Sequence, residues 1–260
     1  FLEEVWVPSA FTGAALTGAK APVRVVPHPL FMEDYRGVVP APRDERFTAV
    51  TLFDFKSSAA RKNPEAMIAA FARAFPDDPT ARLVIKTQNG AAFPDFLARL
   101  RAQAPANVEV LDVVWPYAQV KSLIASADVL ISLHRAEGFG LTMAEAMALG
   151  TPVIGTGWSG NVDFMDETCA LVIPSQPIAV DDPQGIYRGQ TWADPDVEAA
   201  AQALRRLRTD RDLAARLSQA GKRRVAEQLS PQAWFATLPD GVQRAALAAA
   251  GASRRAQASR

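Results

Sequence analysis

Two glutamates, Glu137 and Glu145, lie on either side of a glycine turn in the middle of the chain. The segment Leu141–Leu149 is rich in alanine and is followed by Gly150, which predicts a helix that ends there. The Gly-Phe-Gly turn at 138–140 places glycine amides and a helix N-terminus between the two carboxylates. Carboxylates accept hydrogen bonds from hydroxyls, and free amides bind phosphate. The stretch therefore predicts the chemistry of a nucleotide-sugar site.

The predicted helix is apolar almost all round, which indicates that it is buried. Glu145 lies within it, and the next charged residue in the sequence is Asp163. No sequence neighbour can therefore neutralise the carboxylate. An ionised group in such a helix lowers the stability of the protein unless something pairs with it. The alternative is that Glu145 only caps a structural helix. The second glutamate and the flanking glycines favour a binding role.

A group of basic residues follows an earlier predicted strand. Lys56, Arg61 and Lys62 come shortly after that strand, which ends near Phe55. In open parallel sheets, ligands bind at the carboxyl ends of the strands, and a lysine there can meet a diphosphate as a point charge. A solvated basic turn is the alternative, and it stays open for both lysines.

The same residues carry a resemblance to a known family. Residues 137–154 read E-G-F-G-L-x-x-A-E-A-M-A-x-G-x-P-V-I. This sequence resembles the signature of the family-four retaining glycosyltransferases of the GT-B fold, the glycosyl transferases group 1. The match extends to Arg-Lys-Asn at 61–63 and to the segment 157–161. It covers nearly the whole chain, but only as the C-terminal, donor-binding half of such an enzyme. We therefore expect the acceptor-binding first domain to be missing.

The resemblance implies roles for particular residues. Glu137 would be the catalytic residue that contacts the donor sugar, and Glu145 would bind the ribose hydroxyls. The donor-binding residues would be Lys56, Arg61, Lys62, Gly138, Phe139, Gly140, Leu141, Thr142 and Glu145. Asn63 stands where the family usually has a glycine after the lysine. This set is the predicted site.

Three further residues are candidates. His134 is close to Glu137 in sequence, although a lone histidine is more often structural. Tyr117 falls in a segment that contacts the nucleotide base in the family, with core packing as an equal alternative. Asn161 follows the glycines of 155–160, which read G-x-G-x-x-G, the dinucleotide fingerprint. We reject that interpretation because the motif follows a late strand and leaves no room for a full-length helix. Tight turns near the donor sugar are the favoured use of these glycines.

Strands and helices alternate regularly from residue 48, which predicts an α/β fold, a Rossmann-like open parallel sheet with helices on both faces. The predicted strands are 48–53, 82–87, 108–111, 129–132, 152–154 and 170–173, and the helices between them are 64–74, 93–103, 117–126 and 141–149. Before them come a strand at 5–7, a helix at 10–16 that Ser9 can cap, and a strand at 23–26. Residues 174–192 predict a long loop. Three C-terminal helices are predicted at 195–209, 211–228 and 231–249.

These elements predict three parts of the chain. Residues 1–20 are expected to be a remnant of the N-terminal acceptor domain and the interdomain segment. Residues 21–230 would form the nucleotide-sugar-binding domain. Residues 231–260 would form a C-terminal crossover helix and a frayed tail.

Composition limits the possible functions. The 260 residues are 49% hydrophobic, enough for a substantial core, and the formal net charge is zero. A nucleic-acid binder would show a basic excess, so no nucleic-acid partner is expected. The single Cys169 fits a reducing compartment, and no apolar run is long enough to span a membrane. We expect a cytoplasmic protein, with peripheral contact to a membrane left open.

The predicted ligand is a substrate. Because His, Cys and Asp residues do not cluster at metal-ligand spacing, we predict no metal and no cofactor. A nucleoside diphosphate sugar, such as a UDP- or GDP-hexose, would be the donor. The acceptor, a glycan or glycolipid, would be bound mainly by the missing N-terminal domain, so the fragment is expected to be inactive alone.

The leading hypothesis is the donor-binding half of a retaining glycosyltransferase that moves a hexose to an acceptor hydroxyl, in polysaccharide or glycolipid assembly. One alternative is a nucleotide- or sugar-binding module without transferase activity. An NAD-linked oxidoreductase is the other alternative, and it rests on the glycine motif alone.

Overall fold

The computed structural model describes residues 2–182, 185, 187 and 189–258, with side chains up to residue 250. The chain begins with a small parallel unit made of β1 (Val5–Val7), α1 (Ala10–Ala14) and β2 (Val23–Val25). Ser9 caps α1 as predicted, because its side chain accepts from the Thr12 amide in a capping box. The two strands of this unit pair only with each other, and the unit extends across the domain boundary predicted at residue 20.

Six parallel strands form the central sheet: β3 (Phe47–Asp54), β4 (Ala81–Gln88), β5 (Val108–Asp112), β6 (Val129–Ser132), β7 (Val153–Thr156) and β8 (Leu171–Ile173). Their order across the sheet is β5-β4-β3-β6-β7-β8. The first strand, β3, therefore lies in the middle of the sheet. β4 and β5 extend the sheet on one side of β3, and β6, β7 and β8 extend it on the other. The predicted Rossmann-like parallel sheet is confirmed. Its topological switch point lies between β3 and β6, where such sheets bind ligands.

Five helices connect these strands: α2 (Ala59–Lys62), α3 (Pro64–Ala74), α4 (Pro94–Gln103), α5 (Tyr117–Ser126) and α6 (Leu141–Leu149). The bounds of α6 agree with the prediction because a glycine in the left-handed region lies at each end. Gly140 precedes the helix with φ 97°, and Gly150 follows it with φ 84°. The Gly150 amide then donates to the carbonyls of Ala146 and Met147 and closes the last turn.

The strands are buried on both faces. In β3, Ala49 and Phe53 face a core shared with α3 and α4, whereas Val50 and Leu52 face a core shared with α5 and α6. This double burial explains the continuous apolar runs of the sequence. Helices cover both faces, as predicted.

The long loop predicted at 174–192 is wrong in part, because an antiparallel hairpin lies in this region. It consists of β9 (Ser175–Ala179) and β10 (Thr191–Pro195), paired with each other outside the main sheet. The segment between them, which includes residues 183, 184, 186 and 188, lies partly outside the described residues. The Ala193 amide donates to the Arg135 carbonyl at 2.9 Å, so the hairpin rests on the loop after β6. Prolines within the strands hide this hairpin from pattern reasoning.

The prediction of three C-terminal helices is also wrong, because the described chain has four. These are α7 (Val197–Thr209), α8 (Arg211–Gln228), α9 (Pro231–Ala236) and α10 (Asp240–Ala258). Pro239 divides the last predicted helix, since proline cannot continue the helix before it. Helical backbone continues past Gly251, where the sequence predicts a frayed tail. No helix in the described range is long and apolar enough to cross a membrane.

Candidate functional site

Two loops meet at the switch point of the sheet, one after β3 and one after β6. The Asn63 side chain donates to the Leu133 carbonyl at 2.9 Å, and the Arg135 amide donates to the Arg61 carbonyl at 2.8 Å. Asn63 adopts a left-handed conformation with φ 54°, which asparagine tolerates better than most residues. The residue that replaces the usual glycine therefore keeps the turn and also fastens the loops together.

Glu137 is held by the two cations of the first loop. Its carboxylate forms an ion pair with Lys62 and another with Arg61 at 3.1 Å. Arg61 also donates to the carbonyls of Ala136 and Ser57. The residues predicted to bind the sugar and the diphosphate thus contact each other.

The charges of this cluster do not cancel, because two cations face one carboxylate. Burial alone would raise the pKa of Glu137, but attraction to Lys62 and Arg61 outweighs it and lowers that pKa from 4.5 to about 2. Burial lowers the pKa of Lys62, and Glu137 opposes this shift. The cluster keeps one net positive charge, so it favours an anion. Lys56 is apart from it, exposed in a turn over Phe55–Ser57.

The glycine turn before α6 leaves donors free. The amides of Met143 and Ala144 donate to the Gly140 carbonyl at 3.0 and 3.2 Å. The amides of Leu141 and Thr142 have no acceptor among the described residues. Free donors at a helix N-terminus favour an anion, and the binding of phosphate here stays a prediction.

The other two residues of the turn hold it in place. Phe139 is buried and packs its ring 5.2 Å from that of Phe164, so it anchors the turn in the core. The Gly138 carbonyl accepts from the Ser9 hydroxyl at 2.6 Å. A β-carbon on Gly160 would lie 2.3 Å from the Gly138 oxygen, so only glycine allows these backbones to approach. This close packing explains why the last position of the G-x-G-x-x-G motif, Gly160, is a glycine.

The segment after β7 supports Glu137 through its backbone. The Glu137 amide donates to the Ser159 hydroxyl oxygen at 2.8 Å, and the Gly160 amide donates to the Glu137 carbonyl at 2.9 Å. Ser159 has φ 78° and ψ −155°, a region that is essentially reserved for glycine. The strained serine positions the catalytic candidate.

Two adjoining clefts lie above these groups. The smaller, about 100 Å³, is lined by Lys62, Glu137 and the first residues of α6. The larger, about 300 Å³, is lined by Lys62, Lys86, Thr142 and Glu145 among others. Both clefts include Lys62 and Thr142, so the cleft at Glu137 adjoins the cleft at Glu145.

Glu145 is buried, as the apolar helix predicts, with 8% of its surface exposed. Its carboxylate accepts a hydrogen bond from the Tyr117 hydroxyl, which lies 3.2 Å from that of Tyr35. Burial raises the pKa of Glu145, and the bond from Tyr117 opposes the rise. The sequence offers no partner near Glu145, but the fold supplies one from α5. Tyr117, the candidate for contact with the nucleotide base, therefore lies against Glu145, the candidate for contact with the ribose.

His134 and Asn161 are fully buried and pack together away from the cleft. The His134 Nε2 lies 2.9 Å from Asn161 Oδ1 and 3.2 Å from the Trp158 carbonyl, and its Nδ1 lies 2.9 Å from the Ser132 hydroxyl. Nε2 therefore carries the proton, because both of its neighbours are acceptors. Burial lowers the pKa of His134 and keeps it neutral. The pair joins β6 to the segment after β7.

Two residues beside the cleft, Lys86 and Tyr35, are not among the predicted site residues. Lys86 could have been found, because it is a charge within a strand that otherwise reads as buried. Tyr35 lies in a proline-rich segment without periodicity, which points to no position in the fold. Within the described residues, no group of three or more His, Cys, Asp or Glu side chains could hold a metal ion.

The family model described as glycosyl transferases group 1 matches residues 52–224. The chain belongs to this family. The matched region begins in β3 and ends in α8, so it includes both loops of the switch point. A comparison with curated protein sequences found no match.

Several solved structures share the fold of this chain. Sucrose-phosphate synthase from Thermosynechococcus elongatus has a TM-score of 0.69 and 23% identity, over 96% of this chain and 59% of that one. Anabaena HepE in complex with UDP and glucose has a TM-score of 0.68 and 15% identity, over 88% of this chain and 60% of that one. The pneumococcal O-GlcNAc transferase GtfA in complex with UDP and GlcNAc has a TM-score of 0.60 and 18% identity, over 90% of this chain and 43% of that one. These likenesses show the GT-B fold, and this group 1 chain spans between about two fifths and three fifths of each neighbour's length.

Proposed function

We propose that this chain is the donor-binding half of a retaining glycosyltransferase. The complete enzyme would move a hexose from a nucleoside diphosphate sugar to an acceptor hydroxyl, in the assembly of a polysaccharide or glycolipid. The acceptor would be bound mainly by an N-terminal domain outside this chain. Membership of the glycosyl transferases group 1 supports the reaction class.

One observation carries the proposal. Two adjoining clefts, one with Glu137 and the other with Glu145, share Lys62 and Thr142 at the start of α6. This order of groups fits a nucleotide sugar laid end to end, with the sugar at Glu137, the diphosphate at Lys62 and the helix, and the ribose at Glu145. Two of the structural neighbours are complexes with UDP and a sugar, which supports this class of donor.

The mechanism would rest on positioning and on charge. When the bond between the anomeric carbon and the diphosphate oxygen breaks, its electrons pass to the leaving diphosphate. Lys62 and the amides of Leu141 and Thr142 would stabilise that charge, since fixed donors aimed at a developing anion lower the barrier. Glu137, ionised because of Lys62 and Arg61, would hold the sugar hydroxyls and so fix the sugar for attack by the acceptor. The acceptor oxygen would form the new bond to the anomeric carbon, and its proton would pass to the departing diphosphate.

Calorimetric titration with UDP, GDP, ADP and NAD tests the donor site. We expect at least one nucleoside diphosphate to bind and NAD not to bind. Binding of NAD alone would instead favour the dehydrogenase hypothesis, and binding of none of the four would refute the donor site.

A transfer assay tests whether sugar transfer requires the acceptor-binding domain in addition to this chain. The purified chain is expected to show no sugar transfer to acceptors, although slow donor hydrolysis is compatible with the proposal. Measurable transfer by this chain alone would contradict it. Donor binding without transfer by the full-length protein would favour a binding module.

A further inference from the structure

Lys86 is a buried lysine within the central sheet. It lies on β4, paired with Leu52 of β3 and Leu111 of β5, and only 5% of its surface is exposed. Its side chain lines the larger cleft together with Lys62 and Glu145. A lysine in this setting is unusual, because buried strand positions are occupied almost entirely by apolar side chains.

No described residue accepts a hydrogen bond from the Lys86 ammonium or forms an ion pair with it. The two carboxylates that act on its charge, Asp54 and Asp112, are engaged elsewhere. Asp54 accepts from the side chains of Gln88 and Asn89, each at 2.8 Å, and Asp112 accepts from the amide of residue 90. Burial lowers the pKa of Lys86, and the two carboxylates oppose the shift from a distance. The ammonium therefore has its donors available to a group that enters the cleft.

The same cleft also includes the start of α6, because Thr142 lines it. The amide of Thr142 has no acceptor among the described residues, and a helix N-terminus attracts negative charge. Lys62 lines the same cleft but is already paired with Glu137. Of the two cleft lysines in the described chain, Lys86 is the one that no carboxylate contacts.

We propose that Lys86 binds the diphosphate of the nucleotide donor from the central sheet, in the cleft that it lines together with Thr142 at the start of α6. This proposal rests on the proposed function of the same cleft. Lys86 would thus be a second phosphate-binding cation beside Lys62, a role that the sequence assigned to Lys56 or Arg61. An ammonium has three donors and no acceptor, so it suits phosphate oxygens. Phosphate binding would also satisfy the buried charge.

Calorimetry on Lys86→Met tests the proposal. Methionine keeps the length and apolar stem but removes the charge, so the apo fold should remain as stable or become more stable. We expect affinity for UDP or GDP, whichever the parent binds, to fall about 10- to 100-fold, the range of a hydrogen bond to a charged group. Binding of inorganic pyrophosphate should weaken as well, and the salt dependence of nucleotide binding should become shallower.

Controls separate the possible outcomes. Lys222→Met removes an exposed lysine from α8 and should leave binding unchanged. Lys86→Gln provides a second neutral variant if the Met variant folds poorly, and it should lose affinity in the same way. A loss of nucleotide affinity with unchanged pyrophosphate affinity would overturn the proposal, since it would place Lys86 at the base or ribose. Unchanged nucleotide affinity would overturn it too, whereas a parent that binds no nucleotide would refute the proposed function itself.

Discussion

Replacement of Glu137 by glutamine should destabilise the apo protein strongly. The side chains of Glu137, Lys62 and Arg61 are only 13, 17 and 12% exposed. The variant would leave two neighbouring cations without a counter-charge in a poorly hydrated site. Breaking a buried ion pair in this way costs about 3–5 kcal/mol. Because burial and Arg61 already lower the pKa of Lys62, we expect the lower end of this range.

The same substitution should change how stability depends on pH. The pKa of Glu137 falls from 4.5 to about 2 on folding, so its contribution is complete above pH 4.5 and is lost as the pH falls through 2. At about 1.4 kcal/mol per pH unit, this shift corresponds to about 3 kcal/mol. The difference between parent and variant should therefore be largest near neutral pH and shrink below pH 4.5.

Urea unfolding of both proteins between pH 7 and pH 3 measures these effects. Glu198→Gln is the matched control, because Glu198 pairs with Arg205 at 3.0 Å on the surface, where the two side chains are 52 and 42% exposed. The control should lose less than about 1 kcal/mol. Equal losses in the two variants, or a Glu137 effect that does not change with pH, would refute the account of a buried ion pair.

Three further predictions follow from other contacts of the site. Lys62→Ala should weaken binding of UDP or GDP by about 1.5–3 kcal/mol in calorimetry, and it should also lower the apo melting temperature because the side chain is paired and largely buried. Glu145→Gln should leave apo stability equal or higher, since burial disfavours the charge, yet weaken nucleotide binding by about 1 kcal/mol; the reverse pattern would indicate a structural role. Gly160→Ala would place a β-carbon 2.3 Å from a backbone oxygen and should cost at least about 2 kcal/mol in urea unfolding, whereas Gly18→Ala, with open space around it, should not.

Local patterns were sufficient to predict much of the fold. The strand β6 and the helices α3, α5 and α6 have the predicted bounds because glycine, proline and apolar periodicity act within a few residues. The hairpin of β9 and β10 was missed because its strands contain prolines and pair outside the main sheet. The break at Pro239 was missed because the helical pattern resumes directly after it.

The candidate site was predicted as a set of residues but not as a set of contacts. The sequence motif brings Glu137 and Glu145 together with the glycine turn, since they are neighbours in the chain. The ion pair of Glu137 with Lys62 joins residues far apart in sequence, and only the sheet topology brings them together. The bond from Tyr117 to Glu145 depends in the same way on how α5 packs against α6. Pattern reasoning treats each residue with its neighbours and so does not reveal either partner.

The strained backbone at Ser159 has a consequence for how this chain could be evolved in the laboratory. Glycine there would relieve a conformation that costs a serine about 1–3 kcal/mol, so a selection for heat resistance alone should accept it. The same change would delete the hydroxyl that receives the Glu137 amide at 2.8 Å and leave that amide without its partner. Selection for nucleotide binding should therefore restore the serine. Thermal tolerance and binding are opposed at this one position, and a library that varies only residue 159 would separate them.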